Sequence, residues 1–135
     1  MGTLDFAHNR SLLTSLRTTL ALDAAFEFAA GVALLVFSTT IGGWLGIGTI
    51  ASVGVGVVFL MAGAFIASML RRQQPDLRMV RALAIANTIG GCAGWIFTIA
   101  AWTSLDPAGR AVLGTVSDAF LMIGVLELAA IRHAR

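Results

Sequence analysis

The chain has 135 residues, of which 58% are hydrophobic and 12% are charged. Soluble domains are about 25% charged, so this composition excludes an ordinary soluble domain and is typical of an integral membrane protein. The net charge is +2, and every basic residue is an arginine at the edge of an apolar block. This pattern does not indicate nucleic-acid binding.

Four apolar blocks follow a mixed segment at residues 1–15, which is either a tail or a short interfacial helix. Each block is long enough to cross a bilayer as a helix. We predict transmembrane helices over residues 16–37, 48–70, 79–102 and 108–131, in one domain of residues 16–135. Residues 38–46 are predicted to form a turn. The fold class is therefore all-α, a polytopic membrane four-helix bundle.

The arginines predict the orientation. They lie before or at the start of the first span, in the loop at residues 71–81 and after the last span, and Arg110 is the one exception. The positive-inside rule makes the arginine-bearing side cytoplasmic. We therefore expect a multi-pass protein of the inner membrane with both termini in the cytoplasm.

Polar residues recur inside the predicted spans. Two acids lie one turn apart in the first span, and one amide and two further acids lie in the third and fourth. A carboxylate at the centre of a membrane costs roughly 2.5–3.5 kcal/mol, so these groups are expected to face protein or water. We predict that they form an intramembrane polar seam, made of Asp23, Glu27, Asn87, Asp118 and Glu127.

The fourth span presents its two acids to different neighbours, because Asp118 and Glu127 are nine residues, or about half a turn, apart. We expect Asp118 to face the centre of the bundle with Glu27. Glu127 lies nearer the cytoplasmic surface, where Arg17 or Arg81 could form an ion pair with it. Two interpretations stay open: the seam binds a cation or relays protons, or it holds the helices together through hydrogen bonds.

A faint repeat relates the two halves of the chain at an offset of 64 residues. Arg17 precedes Asp23 by six residues, as Arg81 precedes Asn87. At about 1.5 Å per residue, Asp23 and Asn87 are then expected at the same depth, with Glu127 slightly shallower.

Small residues recur every four positions in two spans, which is the spacing that lets membrane helices pack closely. One row is in the second predicted helix, Gly48, Ser52 and Gly56, and the other is in the third, Ala86, Gly90 and Gly94. We expect both rows to pack within the chain. Contact with another copy is the alternative, and the second helix is the better candidate because it has no charged residue.

The sequence contains no motif that indicates catalysis or the binding of a cofactor or metal. No predicted helix contains a histidine that could bind haem, and no cysteine–histidine cluster could bind zinc. There is no phosphate-binding loop and no nucleophile–base motif. We therefore expect no enzymatic activity, no cofactor and no metal site.

The chain resembles the uncharacterised small four-span membrane proteins of bacteria. The likeness covers residues 16–131 and rests on Arg17 and Asp23 at the start of the first helix, and on Arg81, Asn87 and Trp95 in the third. It implies the four-span fold in a bacterial membrane, and no known activity.

The chain is also superficially similar to small multidrug resistance transporters, in its length and in an acid in the first helix, here Glu27. It departs from their pattern because it has no tyrosine and has an additional acid in the last helix.

Two functions are compatible with these features. The first is a non-enzymatic accessory or scaffold subunit of a larger membrane complex, whose partners are the lipid bilayer and other membrane subunits or further copies. The second is a proton-coupled transporter of small solutes or ions that acts as a homo-oligomer through Glu27 and Asp118.

Overall fold

The computed structural model describes the backbone of residues 3–133 and the side chains of residues 15–132. Within these limits the chain forms five helices: α1 Thr3–Val36, α2 Ser38–Trp44, α3 Thr49–Leu70, α4 Leu77–Ala100 and α5 Pro107–His133. Four segments are long and apolar enough to cross a membrane, namely Ser15–Val36 of α1, and α3, α4 and α5. The predicted all-α four-helix architecture is confirmed, and the chain is a multi-pass membrane protein.

The outer surface of the bundle is apolar. Ile50 of α3 is 89% exposed, and Met61 of α3 and Ile96 of α4 are each 69% exposed. Water would not tolerate so large an exposed apolar surface, whereas lipid would solvate it. The helices therefore bury only their mutual contacts and leave the remaining surface for the bilayer.

Two parts of the chain differ from the sequence prediction. Residues 3–15 continue α1 and do not form a separate element. The predicted turn at residues 38–46 contains α2. Glycine disfavours helices, but α2 packs against α3, and Gly42 lies so close to the next segment that a Cβ there would be 2.9 Å from the Ile47 oxygen. This contact outweighs the weak local propensity.

Helices α1 and α3 pack along each other, as do α4 and α5, and α1 contacts α5 between the two pairs. Glycines set the close approach of α1 to α3. A Cβ on Gly31 would lie 2.9 Å from the Gly56 carbonyl oxygen, and a Cβ on Gly63 would lie 3.3 Å from the Ala24 oxygen. Small residues thus let the two backbones meet, as expected for helices in lipid.

The apolar core lies near one end of the bundle, which we call the arginine-rich end because it carries Arg17, Arg71, Arg72, Arg81 and Arg132. All four long helices contribute to this core, whose buried residues are Leu16, Leu20, Ala24, Ile66, Met69, Val80, Ala130 and Ile131. This layer fixes the depth at which the polar groups above it meet.

Arg17 closes the end of α3. Its Nη2 donates to the Leu70 carbonyl oxygen at 2.7 Å, and its Nη1 donates to the Arg72 oxygen at 3.0 Å. The last carbonyls of a helix lack intrahelical partners and carry partial negative charge, so a guanidinium there satisfies acceptors and stabilises the helix end.

We expect Arg17→Ala to lower the free energy of unfolding by about 1–2 kcal/mol, because two hydrogen bonds to a charged donor are lost. Arg78→Ala is the matched control, since Arg78 is an exposed arginine at the start of α4. Thermal unfolding followed by circular dichroism in detergent measures both. Equal effects of the two substitutions would contradict the proposed role of Arg17.

Candidate functional site

Three buried polar side chains from three helices meet above the apolar core. The Nδ2 of Asn87 donates to Oδ2 of Asp23 at 3.0 Å and to Oε2 of Glu127 at 3.2 Å. Asp23 and Glu127 have no exposed surface, and Asn87 is 4% exposed. We call these three residues the central cluster, and it joins α1, α4 and α5 at one level.

The position of the cluster follows from helical spacing. Asp23 lies three and seven residues after Leu20 and Leu16, so α1 presents all three on one face. Glu127 lies three and four residues before the core residues Ala130 and Ile131, and Asn87 lies seven residues after Val80. Each helix therefore places its polar residue next to its core residues, at the level that the sequence predicted for all three.

The hydrogen bonds of the cluster are incomplete. An asparagine amide has two N–H groups, and both are used here, one for each acid. The second oxygens of the acids, Oδ1 of Asp23 and Oε1 of Glu127, are buried and have no hydrogen-bond partner. Buried polar atoms nearly always have a hydrogen-bond partner, so these two oxygens indicate that the cluster has fewer donors than its acceptors need.

Glu27 lies one turn beyond Asp23 on the same face of α1. It is 5% exposed, and its carboxyl group forms no hydrogen bond within the described residues. Asp23 is close enough to interact electrostatically with it. The site thus contains three buried acids, and Glu27 is the one farthest from the arginine-rich end.

Asp118 is not part of this site. It is exposed, and its Oδ1 accepts a hydrogen bond from Nε1 of Trp95 at 2.9 Å. The expectation that Asp118 faces the bundle centre while Glu127 reaches the surface was wrong, because the two acids have the opposite placement. They do point to different sides, as their nine-residue spacing requires. The depth of the two acids in the membrane does not determine which of them faces the interior of the bundle.

The predicted ion pairs of Glu127 are also absent from the described side chains. Arg17 donates to the end of α3. Arg81 is exposed and borders a cavity of about 230 Å³ together with Leu128 and Arg132. Both arginines lie at the arginine-rich end of the bundle, but the group that contacts the acids is the amide of Asn87.

Comparison with known proteins adds no relative. No family model, curated protein or solved structure matches this chain. Its function has to be inferred from the geometry of the chain itself.

The outward face of α4 is the second feature with a functional implication. Ala82, Ala86 and Gly90 follow each other at four-residue spacing, and all three are exposed. A Cβ added to Gly90 would meet nothing within 4 Å. We call this surface the small-residue face of α4.

The small-residue face corrects the prediction that Ala86, Gly90 and Gly94 pack together within the chain. A row with four-residue spacing turns by about 40° at each step, so it winds around the helix. It begins on the outside at Ala82 and reaches the α5 interface at Gly94, whose Cβ would collide with Oγ of Ser117.

Other small residues, which the spacing did not identify, form the α4–α5 contact. A Cβ on Gly91 would lie 2.7 Å from the Ser117 carbonyl oxygen, and one on Gly124 would lie 2.8 Å from the Ala84 oxygen. In α3, Ser52 and Gly56 are buried as predicted, whereas Gly48 is exposed. Ala84, Asn87 and Gly91 are three and four residues apart, and this helical spacing could have indicated the inner face of α4.

An apolar cavity of about 250 Å³ lies on the side of the cluster away from the arginine-rich end. Its walls come from α1, α2, α3 and α5 and include Leu34, Phe59 and Val116. On α5, Phe120 lies between Val116 and Glu127, and its ring packs edge-on against Phe26 and Phe59 with centroids 5.5 and 5.7 Å away. Aromatic rings thus separate the cluster from the cavity.

Proposed function

We propose that the chain is a small, non-enzymatic accessory or scaffold subunit of a larger membrane complex, and that it binds a transmembrane helix of another subunit through the small-residue face of α4. The observation that carries this proposal is the exposure of that face. Lipid gains nothing from a row of small residues, whereas another helix can approach it closely and gain dispersion and Cα–H contacts.

The position of α4 in the bundle supports the proposal. Its backbone contacts α5 but not α3, so it lies at an edge. The isoleucines Ile85 and Ile89, 45% and 62% exposed, flank the small residues. Larger side chains therefore border the small ones, and a partner helix could approach the backbone of α4 closely between them.

The location that we propose is the bacterial inner membrane, with the arginine-rich end and both termini in the cytoplasm. Support comes from the positive-inside rule, since that end carries every arginine with a described side chain except Arg110. The resemblance to small four-span bacterial proteins points the same way and stays a prediction.

The test is cross-linking in native membranes with a photoreactive residue at position 90. Position 54 is the matched control, because Gly54 is another glycine of a membrane helix with open space around it, on α3. We expect a cross-link to a different membrane polypeptide from position 90 and none from position 54. We further expect Gly90→Leu to abolish co-purification of that polypeptide, while Gly54→Leu leaves it unchanged.

Two results would overturn the proposal. A cross-link from position 90 only to a second copy of the chain would make the face a homo-oligomer contact. Equal labelling of lipid from both positions would show that the face has no protein partner.

A proton-coupled transporter is the second candidate, and the observation that favours it is the burial of Glu27 without a hydrogen-bond donor. Against it stands the apolar cavity beyond Glu27, because a polar solute would have to pass an apolar wall. Proton flux into liposomes, compared between the wild-type protein and Glu27→Gln, separates the two candidates. Flux that requires Glu27 would support transport.

A further inference from the structure

The central cluster has two acids and one amide but no positive charge. Along its three helices the charged residues next to the cluster in sequence are Glu27 and Arg17 on α1, Arg81 on α4 and Arg132 on α5. The buried residues of α3 are uncharged. Arg17 binds carbonyl oxygens of α3, and Arg81 and Arg132 are exposed beside the surface cavity. No described arginine side chain therefore neutralises Asp23 or Glu127.

The two carboxyl groups accept from the same amide nitrogen, so they lie side by side in the buried layer. Ionised carboxylates are acceptors only, so the two acids can form a hydrogen bond to each other only if one of them carries a proton. The orphaned Oδ1 and Oε1 atoms independently indicate that the fully ionised pair leaves buried acceptors without donors.

From this geometry we infer that Asp23 and Glu127 together form a proton-binding site, in which the pair holds one proton and Asn87 supplies a hydrogen bond to each acid. Binding the proton reduces the charge of the pair from two negative charges to one. The proton makes one carboxyl a donor, and the carboxyl–carboxylate bond that results links α1 directly to α5. This inference does not depend on the proposed docking of α4.

A metal ion fits the site less well. Among the described side chains, no group of three or more Asp, Glu, His or Cys residues is arranged to hold one. Hard cations prefer six or more oxygen ligands, and the cluster is sealed between packed helices. A proton needs only one oxygen from each of the two neighbouring acids.

The site makes the packing of the bundle dependent on proton binding. Loss of the proton leaves two negative charges around one amide, in surroundings that screen charge poorly. The amide can donate to both acids but cannot remove their mutual repulsion. The contact of α1 with α4 and α5 should therefore loosen when the proton leaves.

The experiment is infrared spectroscopy of the full-length protein in an ester-free detergent at neutral pH. Carboxyl ¹³C labelling of aspartate or of glutamate isolates the carbonyl stretch of a protonated acid in difference spectra. We expect one such band in the wild-type protein. We expect the band to be lost in Asp23→Asn and in Glu127→Gln, because the remaining acid then has no second carboxylate with which to share a proton.

Two further variants locate the proton. Asp118→Asn is the control outside the cluster and should leave the band unchanged, and Glu27→Gln should also retain it. Loss of the band in Glu27→Gln alone would place the proton on Glu27 and overturn the inference. Absence of a protonated band in the wild-type protein, or carboxylate bands that shift when sodium replaces potassium, would also overturn it. Isotope labelling identifies whether the band in the wild-type protein belongs to an aspartic or a glutamic acid even if a variant does not fold.

Discussion

Replacing Asn87 by leucine is expected to lower the free energy of unfolding by about 2–3 kcal/mol. The substitution removes both hydrogen bonds of the amide and leaves Asp23 and Glu127 buried without their donor. A single hydrogen bond between membrane helices contributes only about 0.6–1.7 kcal/mol, but here two are lost together and each leaves a buried acceptor unsatisfied. Unfolding of the purified protein in mixed micelles, followed by circular dichroism, measures the change.

An exchange of the acid and the amide provides the control. Asn87→Asp alone places a third acid against two others and should destabilise the protein more than Asn87→Leu. The double variant Asp23→Asn with Asn87→Asp restores the composition of one amide and two acids and keeps an amide–acid pair between positions 23 and 87, which are direct hydrogen-bond partners. We expect it to recover at least half of the loss. If the double variant is no more stable than Asn87→Asp, the cluster does not act through this pair.

Replacing Gly91 by alanine is expected to destabilise the bundle by about 1–3 kcal/mol. The new Cβ would lie 2.6 Å from Cγ of Leu121 and 2.7 Å from the carbonyl oxygen of Ser117. The leucine side chain can rotate away, but the backbone oxygen moves only if α4 and α5 separate, and overpacking of this kind costs a few kcal/mol.

The adjacent glycine is a matched control for Gly91. A Cβ on Gly90 meets nothing, so Gly90→Ala should be neutral or stabilise the isolated protein by up to about 1 kcal/mol through helix propensity. Chemical unfolding of both variants in the same detergent gives the comparison. Similar effects at positions 90 and 91 would mean that α4 does not present Gly91 to α5 in solution.

The two predictions concern different sources of cohesion. Asn87 joins the helices through directional bonds at one level, whereas Gly91 lets two backbones approach along their length. In lipid there is little hydrophobic force between helices, so both sources matter more than they would in a water-soluble bundle. A bundle that depends on one amide between two acids is also one whose stability responds to the protonation of those acids.

Much of the fold followed from the sequence. The spans at 48–70, 79–102 and 108–131 differ from α3, α4 and the membrane span of α5 by no more than two residues at either end. Lipid imposes one length and one apolar character on every crossing helix, so local composition determines the spans. The shared depth of Asp23, Asn87 and Glu127 followed equally from rise per residue, because depth is a property of one helix at a time.

Only the tertiary structure decided which way each helix faces. Asp118 and Glu127 are both acids on α5, and their spacing requires opposite sides without indicating which side is inside. The four-residue row on α4 runs from the outward face at Ala82 to the α5 interface at Gly94, a winding that is visible only once α5 is in place. The rotation of each helix about its axis depends on contacts between residues far apart in the chain. These contacts place the amide of Asn87, and not an arginine, beside the acids.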